Sequence, residues 1–133
     1  MRAAVDSSIL LDVLLNDPEH ARSSLGLLES HAARGSLVIC PIAYSEAAAA
    51  FTPCTGLHSV AREMGIVYDD FTPDVAALAA QMWQDYRRRG GPRRRILADF
   101  LIGAHAQQRA ECLLSRDRGY FRDYFQGLAV VAP

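Results

Sequence analysis

The chain has 133 residues, a length typical of one domain, and we expect residues 1–133 to form a single domain. Half of the residues are hydrophobic and 22% are charged, a balance that excludes a disordered chain. The formal charge is -1, and all 14 of the Lys+Arg residues are arginine. The lack of lysine excludes mechanisms that require one, such as the phosphate grip of a P-loop.

The hydropathy pattern predicts a cytoplasmic protein that does not enter a membrane. No apolar run approaches the roughly 18 residues that a membrane-spanning helix needs. Asp6 interrupts the N-terminal stretch before the apolar core of a signal peptide could form. The three cysteines are widely spaced and form no C-x-x-C pair, so neither a disulfide framework nor a zinc site is predicted.

Hydrophobic periodicity, helix caps and short β-branched runs predict alternating strands and helices. In chain order the predicted elements are a strand at 2–5, helices at 8–16 and 17–35, a strand at 36–40, helices at 41–51 and 56–65, a strand at 66–68, helices at 72–89 and 95–109, a strand at 112–115, a turn and short helix at 117–125, and a strand at 128–132. Such short, fully apolar strands between helices predict a largely parallel sheet with helices on both faces.

Four acidic residues lie where this kind of sheet binds ligands. Asp6 directly follows the first strand, and Asp117 lies on the loop that leaves a later one. Glu46 is the only fully charged residue between Gly35 and Ala61, and Asp99 is equally isolated in an apolar helix. Ligands of parallel sheets bind beyond the carboxyl ends of the strands, where the strand order reverses. A shared pocket at that edge would account for all four acids.

Each acid also has a simpler interpretation when it is taken alone. Asp6 is placed to cap the first helix, and Asp117 is placed to stabilise a turn. Glu46 would face water if it lies on the polar side of its alanine-rich helix. Asp99 is harder to explain in this way, because its neighbours on the same helix face, Gly103 and Ala106, are small.

Four carboxylates in one pocket would need compensation, because a single pair about 5 Å apart repels by roughly 3 kcal/mol at an effective dielectric constant near 20. Shared protons, an inserted arginine or a divalent cation would each supply it. Oxygen ligands favour Mg²⁺ or Mn²⁺ over zinc. Since magnesium typically also binds substrate phosphates, the pattern favours phosphoryl-transfer chemistry.

At these residues the sequence resembles the PIN-domain nucleases, and among them the VapC-like toxins of bacterial toxin–antitoxin pairs. The matching pieces follow the family's order over nearly the whole chain: "VDSSILLD" with Asp6, "YSEAAAAF" with Glu46, "ILADFLIGAHA" with Asp99 and "LLSRDRGYF" with Asp117. Ser115 matches the hydroxyl position two residues before the last acid, which is usually threonine. Ser8 replaces an asparagine that is common in the family, so the contact of that amide is not expected here.

The resemblance implies an α/β/α sandwich and a metal-dependent endoribonuclease that is silenced by a co-expressed antitoxin and is usually a homodimer. Asp6, Asp99 and Asp117 would then hold Mg²⁺ or Mn²⁺, and Glu46 would position or deprotonate the attacking water. Ser115 would hydrogen-bond a carboxylate or that water. Asp123 is an additional candidate ligand, although its place on a short helix favours solvent.

Arginines surround two of the four acids and are candidates for RNA contact, since their guanidinium groups pair with phosphates in a bidentate manner. Six lie in "RRRGGPRRR" just before Asp99 and two flank Asp117: Arg87, Arg88, Arg89, Arg93, Arg94, Arg95, Arg116 and Arg118. The alternatives are a solvated helix end, whose dipole favours cations, and simple neutralisation of Asp117.

Other functions fit the residues less well. A phosphoaspartyl phosphatase usually has a second aspartate two residues after the first, where this chain has Ser8, and the absence of lysine counts against both that enzyme and a receiver domain. An RNA-maturation nuclease and a non-catalytic module that binds RNA or protein on the same scaffold stay open.

Overall fold

The computed structural model describes residues 1–91 and 96–133, apart from the side chains of 118–120. Within these ranges five strands form one sheet: β1 (Arg2–Val5), β2 (Ser36–Ile39), β3 (Ile66–Tyr68), β4 (Cys112–Leu114) and β5 (Ala129–Val131). Every one of them lies within a predicted strand. Short apolar runs bounded by turns were therefore a sufficient signal for the strands.

The helices of the described ranges occupy the segments between these strands. They are α1 (Ser7–Leu14), α2 (Ala21–Arg34), α3 (Pro41–Ala48), α4 (Leu57–Glu63), α5 (Pro73–Arg88), α6 (Leu97–Arg109) and α7 (Arg118–Tyr124), with a 3₁₀ turn at Cys54–Gly56 before α4. No helix in the described part of the chain is both long and apolar enough to cross a membrane.

The predicted start of α2, with Asp17 as the cap and Pro18 as the first helical residue, is wrong by three residues. The Asp17 carboxylate accepts the backbone N–H groups of Glu19 and His20, at 2.9 and 2.8 Å. These hydrogen bonds make a separate turn, because an aspartate side chain competes with the helix for nearby N–H groups. The helix therefore begins only at Ala21.

All four strand pairings are parallel, and the strand order is β3-β2-β1-β4-β5. With helices on both faces, the molecule is the predicted three-layer α/β/α sandwich. The chain first builds the sheet outward from β1 to β3 and then returns to the other side of β1 to add β4 and β5. The strand order thus reverses between β1 and β4, where parallel sheets bind their ligands.

Helix α6 has more buried residues than any other helix in the described part of the chain, which explains why its sequence is so apolar. It packs against β1, β4, α3 and α5. Phe100 is fully buried, and a Cβ atom at Gly103 would lie 2.4 Å from the ring of Phe125. The absence of a side chain at Gly103 therefore lets the ring of Phe125 pack directly on the helix backbone.

We expect Gly103→Ala to lower the free energy of unfolding by about 1–2 kcal/mol, because the added methyl group must displace the buried ring of Phe125. Urea unfolding would measure the change. Gly26→Ala is the matched control, since Gly26 lies inside α2 and a methyl group added there would meet no atom within 4 Å. That substitution should raise the free energy of unfolding by about 0.5–1 kcal/mol; equal effects at the two positions would contradict the packing argument.

A charged cluster around Asp69 joins three distant parts of the chain. Arg109, the last residue of α6, donates two hydrogen bonds of 3.0 Å to the two carboxylate oxygens of Asp69. Arg2 pairs with the same carboxylate at 3.1 Å, and Nε2 of the buried His105 lies 2.8 Å from it. The loop after β3 is thereby tied to α6 and to the start of β1.

The cluster also sets the ionisation of its members. The Arg109 guanidinium, helped by His105 and Arg2, holds the pKa of Asp69 well below its usual range. Burial lowers the pKa of His105, although the Asp69 carboxylate partly opposes that effect. The aspartate is therefore ionised at neutral pH, and the folded state disfavours a charged imidazole.

Candidate active site at the carboxyl ends of β1 and β4

Asp6 lies at the reversal point of the sheet. It directly follows β1 and occupies the N-cap position of α1, but its side chain makes no capping hydrogen bond. Its backbone N–H donates to the carbonyl oxygen of Leu114 at 3.0 Å, which joins the carboxyl ends of β1 and β4. The alternative interpretation, in which the Asp6 carboxylate caps α1, is therefore wrong.

Two hydroxyl groups hold the Asp6 carboxylate in place. Ser115 Oγ donates to Asp6 Oδ2 at 2.6 Å, and Ser8 Oγ donates to the same oxygen at 3.1 Å. The Ser115 hydroxyl in turn accepts the backbone N–H of Asp117 at 3.0 Å. The hydrogen bond expected from Ser115 to a carboxylate is therefore present, and Ser8, at the position where asparagine is common, contacts Asp6 directly.

The surroundings of Asp6 are electronegative. Asp6 is only 7% exposed, and burial raises the pKa of its carboxyl group, as does the charge of Glu46, while the hydroxyl hydrogen bonds oppose the rise. Cys40, which follows β2, feels the same charges: burial above all, with Asp6 and Glu46, raises the pKa of its thiol to about 11. In the described ranges no arginine or histidine pairs with Asp6. Its negative charge is therefore left for something else to compensate.

Glu46 lies on α3, close enough to Asp6 for its charge to raise the pKa of the Asp6 carboxyl group. Its side chain is exposed, and its Oε1 accepts a hydrogen bond of 2.8 Å from the hydroxyl of Ser7, the first residue of α1. The carboxylate is therefore held toward α1 and Asp6 while it keeps access to water. The alternative in which Glu46 simply faces solvent accounts for its exposure but not for this hydrogen bond.

Asp99 lies in the first turn of α6 and is half-buried. Its Oδ2 accepts the backbone N–H of Ile96 at 3.0 Å, which is the hydrogen bond that an acidic residue at the third helical position makes in a capping box. This local bond gives Asp99 a helix-stabilising role that the sequence reasoning did not assign to it.

Asp117 follows β4 as expected and precedes α7, where its side chain makes no capping hydrogen bond. Within the residues that the structure describes, no three acidic, histidine or cysteine side chains come together in an arrangement that could hold a metal ion. The structure thus brings the charges of Asp6 and Glu46 together and fastens Asp117 to Ser115 through the backbone. Asp123 is exposed, as its place on a short helix indicated.

The arginines have different surroundings. Arg87 lies over the ring of Trp83 and Arg89 over that of Tyr124, each at 5.1 Å, and Arg88 is 4.0 Å from Asp85. All three are exposed on the last turn of α5 or just after it. The predicted contacts at Arg93, Arg94 and Arg95 lie outside the described residues, as does the side chain of Arg118.

Arg116 points to a residue that sequence reasoning missed. It pairs with Asp12, a 3% exposed carboxylate on α1, through two hydrogen bonds of 2.9 Å. Asp12 lies in the first predicted helix, where the sequence pattern gave it no role. Its signal was the same as that of Asp99, since it is the only charge in the apolar run "SSILLDVLLN".

Known proteins resemble this chain over nearly its whole length. The family model described as the PIN domain matches residues 3–125. No curated protein sequence matches the chain.

Similar solved structures include VapBC2 from Rickettsia felis, crystallised with a DNA fragment from its promoter, at 16% identity and a TM-score of 0.76 over 100% of this chain and 99% of that one. VapBC-1 from nontypeable Haemophilus influenzae gives 15% identity and a TM-score of 0.74, covering 99% and 98% of the two chains. The Mycobacterium tuberculosis toxin VapC20, described as cleaving the sarcin-ricin loop, gives 14% and 0.68, covering 98% and 99%. At these identities the likeness shows the fold.

Proposed function

Because this chain belongs to the PIN-domain family, we propose that it is a metal-dependent endoribonuclease that acts as the VapC-like toxin of a toxin–antitoxin pair. The observation that supports this most is the buried Asp6 carboxylate at the reversal point of the sheet, oriented by two hydroxyl groups and with the charge of Glu46 beside it. Among the described residues Asp6 has no cationic partner, and a buried anion of this kind is costly and is typical of functional sites.

The proposed ligands are of the chemical type that binds a hard divalent cation. Their donors are carboxylate oxygens, which Mg²⁺ and Mn²⁺ prefer, and magnesium commonly takes only one or two carboxylates together with waters and substrate phosphates. Asp6, Asp99 and Asp117 would hold the ion. When bound, such an ion lowers the pKa of a coordinated water and stabilises charge that develops on the phosphate.

The side chains of this chain would contribute orientation and proton transfer. Ser115 and Ser8 favour the ionised form of Asp6 by donating to it, and they fix its orientation. Glu46 is exposed and directed by Ser7, so it is placed to accept a proton from the attacking water. Attack by water on the phosphodiester would leave a 5′-phosphate and a 3′-hydroxyl end.

The substrate and partners follow from the same proposal. The exposed Arg87, Arg88 and Arg89 are candidates for contacts with RNA phosphates. The similar solved structures include a toxin–antitoxin complex from Klebsiella pneumoniae, which supports a cognate antitoxin here. We further propose that the protein is a homodimer of the cytoplasm.

Cleavage of RNA by the purified protein tests the function. We expect cutting with Mg²⁺ or Mn²⁺ and none with a chelator, because without the ion the proposed carboxylate ligands would repel the phosphate of the substrate. Asp123→Asn is the matched control, since it removes an exposed carboxylate from α7 and should leave the rate unchanged within about twofold. Metal-independent cutting, or no cutting with either ion, would contradict the proposal.

A further inference from the structure

Of the three residues that follow β4, Ser115 and Arg116 are bonded to distant parts of the chain, and Asp117 is bonded to Ser115. Ser115 donates to Asp6 and accepts from Asp117, as described above. The backbone N–H of Arg116 lies 3.5 Å from the hydroxyl of Ser8, which itself donates to Asp6. The backbone that leads to Asp117 is thus linked to the carboxylate of Asp6 through the hydroxyl groups of Ser115 and Ser8.

The Arg116 side chain attaches this segment to α1. Its Nε donates to Asp12 Oδ2 and a terminal nitrogen donates to Asp12 Oδ1, both at 2.9 Å. Ser24 of α2 donates to Asp12 Oδ2 at 2.7 Å. Asp12 is 3% exposed and Ser24 is fully buried, so the carboxylate of this ion pair is shielded from water, whereas the Arg116 side chain stays 39% exposed.

This geometry argues against RNA contact by Arg116. A guanidinium that binds a phosphate must present its fork to solvent, whereas this one directs Nε and a terminal nitrogen to a buried carboxylate. Charge neutralisation of Asp117 does not require Asp12 at all. The buried Asp12 carboxylate instead attaches the loop after β4 to α1 through Arg116.

We propose that Asp12 and Arg116 are positioning residues that hold the loop of Ser115 and Asp117 against Asp6, and so set the affinity of the site for its divalent ion. The inference rests on the proposed metal-dependent function. Groups that orient metal ligands typically contribute about 10- to 100-fold to metal affinity or activity. Bidentate geometry matters here, because a lysine supplies the charge but not the fork.

Mn²⁺ binding in the absence of RNA tests the proposal without relying on activity. For Arg116→Met we expect the Kd for Mn²⁺ to rise about 10- to 100-fold. Calorimetry, or the electron paramagnetic resonance signal of unbound Mn²⁺, would measure it. In cleavage assays kcat should fall by a similar factor, while KM for RNA stays within about threefold. Arg116→Lys should recover only part of the loss. Arg122→Met is the matched control, since it removes an exposed arginine from α7 and should change neither quantity.

The single variant leaves Asp12 buried without its partner and could unfold, which circular dichroism would reveal. The double variant Asp12→Asn/Arg116→Met removes both charges, and it should fold while showing the same loss of Mn²⁺ affinity. Unchanged Mn²⁺ binding with a raised KM would overturn the proposal in favour of RNA contact. If the unaltered protein neither binds Mn²⁺ nor cuts RNA, the proposed function fails as well; if it does both and the variants match it, only the positioning role fails.

Discussion

Asp6→Asn is expected to reduce RNA cleavage by about 10²–10³-fold, the usual cost of removing one electrostatic group from a preorganised active site. It should also make the metal-free protein more stable, by about 1 kcal/mol at neutral pH. The carboxylate is buried and lies beside the charge of Glu46. Its loss therefore removes a proposed metal ligand and an unfavourable charge together.

The sign of the stability change follows from the ionisation of Asp6. Burial raises the pKa of this carboxyl group above its value in the unfolded chain, so the folded state holds its proton more tightly. Above both pKa values the group is ionised in either state, and its burial then costs free energy. Asparagine has no charge to bury, and its side-chain oxygen can still accept the hydroxyl of Ser115.

Thermal unfolding with a chelator present, together with cleavage rates in Mg²⁺ or Mn²⁺, would measure both effects. Asp123→Asn should change neither, because its carboxylate is exposed. The stabilisation should shrink as the pH falls through the raised pKa of Asp6, where the unaltered protein becomes protonated. A destabilised Asp6→Asn variant, or one that cuts RNA at the full rate, would contradict this account.

Asp69→Ala is expected to lower the free energy of unfolding by about 2–3 kcal/mol, mainly because it leaves the Nε2 of the buried His105 without its acceptor. Arg2 and Arg109 add less, since each keeps more than a third of its exposure and can bind water. Asp70→Ala is the matched control, as it removes the exposed carboxylate next in the chain.

The pH dependence should identify the cluster. The pKa of Asp69 is lowered in the folded state, so its contribution is present above about pH 4, the usual pKa of an unfolded aspartate, and is lost as the pH falls further. The stability difference between the two proteins should therefore narrow as the pH falls below about 4. Between about pH 6.5 and 4 it should widen, because burial disfavours a protonated His105 and the variant lacks the carboxylate that opposes this. Urea unfolding at several pH values would measure it, and a difference that does not narrow as the pH falls below about 4 would contradict it.

The sequence by itself determined the elements and the class of the fold. Strands that are buried on both faces must be short and apolar, so all five could be located from runs such as "SLVIC" and "LAVVA". Asp6 and Glu46 could be identified because they are isolated acids in apolar segments, where charged residues are rarely found unless they are paired or functional. The error at the start of α2 came from Asp17, whose side chain can begin either a helix or a turn.

Only the tertiary structure decided which residues meet. The placement of β4 beside β1 brings Ser115 to Asp6, and Arg116 reaches Asp12 across 104 residues of sequence. Nothing in the sequence indicated the cluster around Asp69, whose members come from a loop, a strand and a helix end. Hydrophobic periodicity indicates which face of each helix or strand is buried against the sheet and the core. Partners between distant elements depend instead on strand order and packing, which the whole chain settles together.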